Sequence, residues 1–233
     1  MLAFGLLVAV LALGSPASGS GRHDSGAPSP AGHVDRHEAA RQPRFDAEVF
    51  KLGRPQKRRM RGVSYHHGCP VPLRDLRLLR LDHWGFDGDV HRGRLVIHRT
   101  KARAILDVMR EAFRARFAIR RMELIDHYGG DDRRSMDADN TSAFNCREVA
   151  GRPGVWSQHA YGRAIDVNPI ENPFVTSSGY VSPPAGQPYA DRSPTRKGMV
   201  TRRIIRSFGD AGWEWGGRWS PTKDYQHFSS NGR

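Results

Sequence analysis

Cysteine is scarce: the 233 residues contain two, Cys69 and Cys146. Neither stands in a Cys-x-x-Cys pair, which argues against a thiolate-built metal site. In an exported chain an even count points to one disulfide, with a thiolate zinc ligand as the rival reading. His-Glu-x-x-His is absent, so the helical two-histidine arrangement of common zinc proteases does not apply. No apolar run reaches the ~20 residues needed to span a bilayer. No internal repeat and no nucleic-acid recognition motif occurs, and Arg and Asp are interspersed. The net charge of +13 therefore speaks for an anionic cell wall and against nucleic acid as partner. The one dense basic run, Lys57-Arg58-Arg59-Met60-Arg61, reads as a solvated edge.

Lys and Arg are also missing from residues 1–19. There Leu6, Leu7, Val8, Val10, Leu11 and Leu13 precede the small residues Ser15, Ala17 and Gly19. The pattern is that of a secretory signal, with a short membrane anchor as the alternative. Export would make the protein secreted and associated with the cell wall. Residues 20–60 alternate Gly, Pro, Ser, Ala, His and Arg without period, and are expected to be a disordered linker. Residues 61–233 are expected to form one catalytic domain, acting as a monomer.

What is present in that domain is hydrophobic patterning of both periods. Leu76, Leu78, Leu79 and Leu81 run strand-like to Trp84-Gly85, and Arg94 to Arg99 reads as a second strand. Ile105, Met109, Ala112 and Phe113 recur at helical spacing, as do Val200, Ile204 and Phe208. Residues 119–125 and 141–147 are expected to be strands, the latter placing Asn145 and Arg147 on one face. The long segment 172–192, rich in Pro, Gly, Ser and Tyr, is expected to wrap one rim of a cleft.

The chemistry concentrates in Ser157-Gln158-His159-Ala160-Tyr161-Gly162-Arg163-Ala164-Ile165-Asp166 and in Asp224-Tyr225-Gln226-His227. Two imidazoles and a carboxylate, His159, Asp166 and His227, suit Zn²⁺ and leave a position open for water. Alternation through Ala164 to Asn168 sends Ile165 and Val167 to the core, with Asp166 and Asn168 toward the site. Gly162 permits the turn that carries His159. Zinc lowers the pKa of a bound water to ~7, and amide hydrolysis then needs a base. Asp224, three residues before His227, is the candidate, with Glu214 as competitor. Arg147 is the candidate positive group for a developing oxyanion, or else a solvated arginine. Ser157 either contacts substrate or serves the turn. His83, His91 and His98 lack partners at metal-binding spacing and read as packed or surface residues.

Ser157-x-His159-x-x-Gly162-x-Ala164-x-Asp166 followed by Asp224-x-x-His227 closely resembles the D-alanyl-D-alanine carboxypeptidase metallopeptidases. That family includes vancomycin-resistance D,D-carboxypeptidases and phage L-alanyl-D-glutamate endopeptidases. The resemblance covers roughly residues 93–228. It implies His159, Asp166 and His227 as zinc ligands, and peptidoglycan stem peptides as substrate; Ser157, Tyr161 and Trp215 are the candidate substrate contacts. It also implies an α+β fold: a small antiparallel sheet with flanking helices and the zinc site on one sheet face. Asp224 stands where the D,D-carboxypeptidase branch carries Glu. That difference, with Trp215-Gly216-Gly217, leans toward the endopeptidase branch. The alternative is a non-catalytic, zinc-stabilised wall-binding module.

Overall fold

Leucines alternating with arginines build the largest sheet. The computed structural model describes residues 43–233; the expected signal, 1–19, and most of the expected linker lie outside the described residues. Strand β1 (Ala47–Lys51) is followed by helix α1 (Arg54–Met60), then by β2 (Leu76–Trp84) and β3 (Val90–His98). The three strands form an antiparallel sheet in the order β1-β2-β3. Leu79, Leu81, Leu95 and Ile97 point to one face and Leu76, Leu78 and Val96 to the other. Each such buried side chain contributes roughly 1.5–3 kcal/mol.

The expectation of a disordered linker through residue 60 fails over residues 43–60. Phe50, Leu52 and Met60 join the second of these clusters, with Leu124 and Phe144. Their partners are distant in sequence, so local composition concealed them.

Helix α2 (Ala102–Arg114) lays Ile105, Val108, Met109 and Ala112 on the first face. Past α2 the chain is extended from residue 118 to 124, but not as a laddered strand. It makes single bridges, Trp84 to Ala118 and Arg121 to Asn140. Helix α3 (Asp132–Asp137) follows, capped by the Asp131 side chain accepting from Arg134 N. The strand expected over 141–147 is likewise reduced to one bridge, Ser142 to Asp166.

A hairpin of β4 (Glu148–Val149) and β5 (Arg152–Trp156) leads to β6 (Ala164–Asp166). The long segment after it is partly regular: β7 (Phe174–Val175) pairs with β8 (Val181–Ser182). Helix α4 (Arg202–Asp210) buries Ile204 and Phe208 beside α2's residues. The chain ends with β9 (Glu214–Trp215), β10 (Lys223–Asp224) and β11 (His227–Ser229). β11 lies between β6 and β9, and β10 pairs with β7. Antiparallel ladders and flanking helices give the α+β architecture.

Cys69 and Cys146 form a disulfide, Cα–Cα 5.9 Å, across 77 positions. Closing so long a loop is worth about 4 kcal/mol in the chain-entropy account. Among the described residues no helix is long and apolar enough to cross a membrane.

Candidate metal centre

Three short elements deliver three side chains to one point. His159 sits on a single helical turn, Gln158–Tyr161, whose N-cap Ser157 accepts from His159 N at 3.3 Å. Gly162 ends the turn at φ +63°, and a Cβ there would lie 2.7 Å from His98 N. It is therefore another backbone that approaches this glycine, held by His98 N donating to Gly162 O at 2.9 Å. Asp166 closes β6 and His227 opens β11, directly opposite in the antiparallel register. Ile165 and Phe228 point into the core; alternation sends Asp166 and His227 to the other face.

The ligand atoms of His159, Asp166 and His227 all lie within 4.8 Å of one another, and all three residues are buried. His159 Nε2 is 3.3 Å from His227 Nδ1 and 3.1 Å from Asp166 Oδ2. His227 Nδ1 is 2.9 Å from Asp166 Oδ1. A tetrahedral ion with bonds of ~2.0–2.1 Å has ligand–ligand edges of roughly 3.3 Å, close to these separations.

The outer nitrogens carry the second part of the argument. His159 Nδ1 lies 2.5 Å from the carbonyl of Ala143, and His227 Nε2 lies 3.3 Å from a backbone oxygen of Arg233, the last residue of the sequence. A carbonyl or carboxylate oxygen only accepts, so each outer nitrogen carries the hydrogen. In the neutral rings the inner nitrogens then present lone pairs to each other and to a carboxylate. With those inner nitrogens free of hydrogen, the three groups converge as acceptors on one point, an arrangement that fits a cation, and backbone oxygens behind metal-binding imidazoles are the usual support. Burial opposes ionisation of Asp166, but the His159 and His227 imidazoles outweigh it and hold the carboxyl well below the usual range. His227 is likewise opposed by burial, yet raised by Asp166 and Asp224.

Asp224 stands beside this cluster on β10. The residue keeps some surface, but its Oδ1 has none and no hydrogen-bond partner. Desolvation pushes the carboxyl up to about 6, against the pull of His227. Gly216 explains how the segments close: a Cβ there would meet Asp224 O at 2.7 Å and His227 Cβ at 3.3 Å.

Residues 150–230 match the family model described as D-alanyl-D-alanine carboxypeptidase. The match supports the metallopeptidase family that the motif resembles. With it come a hydrolytic enzyme and, in general terms, peptidoglycan-type substrates. The matched span includes His159, Asp166, Asp224 and His227, but not Arg147 or either cysteine. No curated protein and no solved structure matches the chain.

Within this peptidase frame the other candidates separate. Glu214 is exposed, near Gly232, and on the register pair with Ser229 rather than with His227. Arg147 pairs with Asp132 of α3 at 2.9 Å, while its Nε is buried without a partner. Asn145 shares that direction, its amide donating to Gly130 O at 3.2 Å. Tyr161 packs half-buried against the second hydrophobic cluster. Trp215 donates its indole N–H to Tyr225 O at 2.8 Å. Asn168 does not face the site. At φ +43° its amide donates to Ala118 O and Gly198 O, tying loops together behind the sheet. Of the tempting histidines, His98 bonds Thr100 and His91 pairs with Asp87, and neither these nor His83 joins the cluster.

Sequence reasoning missed Trp219, whose ring centroid lies 5.3 Å from that of His227 and whose N–H donates to Gly232 O. Its only signal was an aromatic in an otherwise polar loop. The two supporting main-chain oxygens, of Ala143 and Arg233, left no signal at all, because any residue type carries one.

Proposed function

We propose that the protein is an exported zinc peptidase of peptidoglycan stem peptides, acting as an L-alanyl-D-glutamate endopeptidase or a D,D-carboxypeptidase. The observation that carries this reading is the convergence of His159 Nε2, His227 Nδ1 and an Asp166 carboxylate, with both outer imidazole nitrogens on main-chain oxygens. His159, Asp166 and His227 would hold the ion. When bound, zinc supplies an activated water and a polarised scissile carbonyl.

The chain's own residues supply the rest. Asp224 accepts the proton of the attacking water and passes it to the leaving amine. Its unpartnered Oδ1 and raised pKa suit that exchange. Arg147 is the positive group assigned to the developing oxyanion: Asp132 fixes one edge of its guanidinium, and Nε keeps an unspent donor. Ser157 acts through the turn it caps, and Trp219 walls one side of His227. The net charge of +13 supports retention on an anionic wall.

Mass spectrometry of muropeptides digested by the purified protein tests the proposal. One stem-peptide bond should be cut, the activity should vanish with a chelator and zinc should restore it. Cleavage that survives complete metal removal would sink the zinc reading.

A further inference from the structure

A second opening lies on the sheet away from the metal ligands. It is a cleft of about 470 Å³, lined by residues of β2 and β3, the extended segment 118–124 and the turn at His127-Tyr128. That volume is within the range of small-ligand sites. Its lining is rich in cations and poor in acids: three arginines and three histidines face one carboxylate, Glu123.

Most of those charges are already matched. Arg92 pairs with Asp46, Glu48 and Asp82. Arg120 pairs with the buried Asp139 and Glu171. The Glu123 carboxylate is taken by Arg94. Arg121 differs. Its guanidinium donates to the Ala138 carbonyl at 2.6 Å and meets no carboxylate among the described residues. Among the described residues the Tyr128 hydroxyl has no hydrogen-bond partner either, and the His127 ring packs edge-on to the Tyr128 ring. The cleft thus holds a surplus of donors around one unmatched positive charge. Such a set is completed by an oxyanion, since guanidinium–oxyanion contacts are among the stronger hydrogen bonds.

His83 adds a complementary feature. Its Nδ1 faces the Trp84 carbonyl at 3.3 Å, and burial lowers its pKa, so the ring is neutral. Nε2 then offers a lone pair, which a ligand hydroxyl can fill.

We infer that this cleft is a binding site for a polyol phosphate, with Arg121, His127 and Tyr128 on the phosphate and His83 on a hydroxyl. It is separate from the metal centre yet linked to it. Arg121 bridges to Asn140, and Ser142, two residues on, bridges to Asp166. A phosphate polymer held here would keep the peptidase beside its substrate. The inference does not depend on zinc.

Calorimetric titration of the full chain, loaded with its metal, tests it with glycerol 3-phosphate and a glycerol-phosphate oligomer as probes. A stem tripeptide bearing only carboxylates is the comparison. Both phosphate probes should bind and shift the His127 ring resonances. Arg121→Gln, which keeps a donor for Ala138 O, should weaken them at least tenfold, and His127→Gln severalfold. Hydrolysis of a small soluble stem peptide should stay unchanged in both variants. His159→Ala, which removes a metal ligand, should leave phosphate binding intact. Equal affinity in wild type and both cleft variants would overturn the assignment, as would binding of the tripeptide alone. Loss of phosphate binding in His159→Ala would instead place the anion at the metal centre and also overturn it.

Discussion

Gly216→Ala isolates the packing that brings the proposed base and a metal ligand together. The added Cβ would sit 2.7 Å from Asp224 O, 3.0 Å from Asp224 Cβ and 3.3 Å from His227 Cβ. Non-bonded contacts need roughly 3.5 Å, so one or both strands must retreat by roughly 0.8 Å. None of the three atoms is a flexible side-chain tip. The backbone of β10 has to move, and β10 is fixed on its other side by β7. Overpacking of this kind costs about 1–3 kcal/mol of stability. Its effect on catalysis should be larger, because a misplacement of ~1 Å costs roughly 10²-fold in rate. We expect kcat/KM on a stem peptide to fall about 10- to 100-fold while the protein still folds and binds zinc. Gly209→Ala is the matched control: nothing lies within 4 Å of its Cβ, and it lies within α4. It should gain about 0.5–1 kcal/mol with activity unchanged. Gly216→Ala with wild-type kcat/KM and an unchanged melting temperature would refute the packing argument.

Three further outcomes are expected. Asp224→Asn, nearly isosteric but unable to take a proton, should lower kcat about 10²- to 10⁴-fold with zinc content unchanged; equal turnover would remove Asp224 as base. Glu171 is almost fully buried, and desolvation and Asp139 raise its pKa to about 8. A carboxyl raised on folding stabilises fully below its unfolded pKa of ~4.3, and that contribution is lost as pH rises toward 8. Urea midpoints should therefore decline from pH 5 to pH 8 in the wild type and stay flatter in Glu171→Gln. The stake is at most about 5 kcal/mol, and parallel pH curves would exclude the linkage. Replacing both Cys69 and Cys146 by Ser should cost about 4 kcal/mol in denaturant titrations; a loss below about 1 kcal/mol would show that the loop is held by packing alone.

The core and the candidate cluster of His159, Asp166 and His227 were legible because they rest on local pattern. Ile165 and Val167 alternate with Asp166, and the stripes of α2 and α4 repeat at helical spacing. The ten-residue motif around His159 carries its own turn signal in Gly162. What stayed hidden depends on distant partners. Phe50, Leu52 and Met60 look like stray apolar residues until Leu124 and Phe144 cover them. Residues 119–125 have strand-like composition, but isolated bridges rather than a ladder hold them on either side. Asn168 fits the alternation that points to the site, yet its positive φ turns it into a structural tie. That Asp132 would claim Arg147 is a fact of tertiary packing.

X-ray absorption at the zinc edge, on the purified full chain, tests the central claim most directly. One zinc per chain should appear with only nitrogen and oxygen neighbours at roughly 2.0–2.1 Å. The metal should be lost in His159→Ala and in His227→Ala. A sulfur shell at roughly 2.3 Å, or zinc retained at full occupancy in both variants, would contradict it.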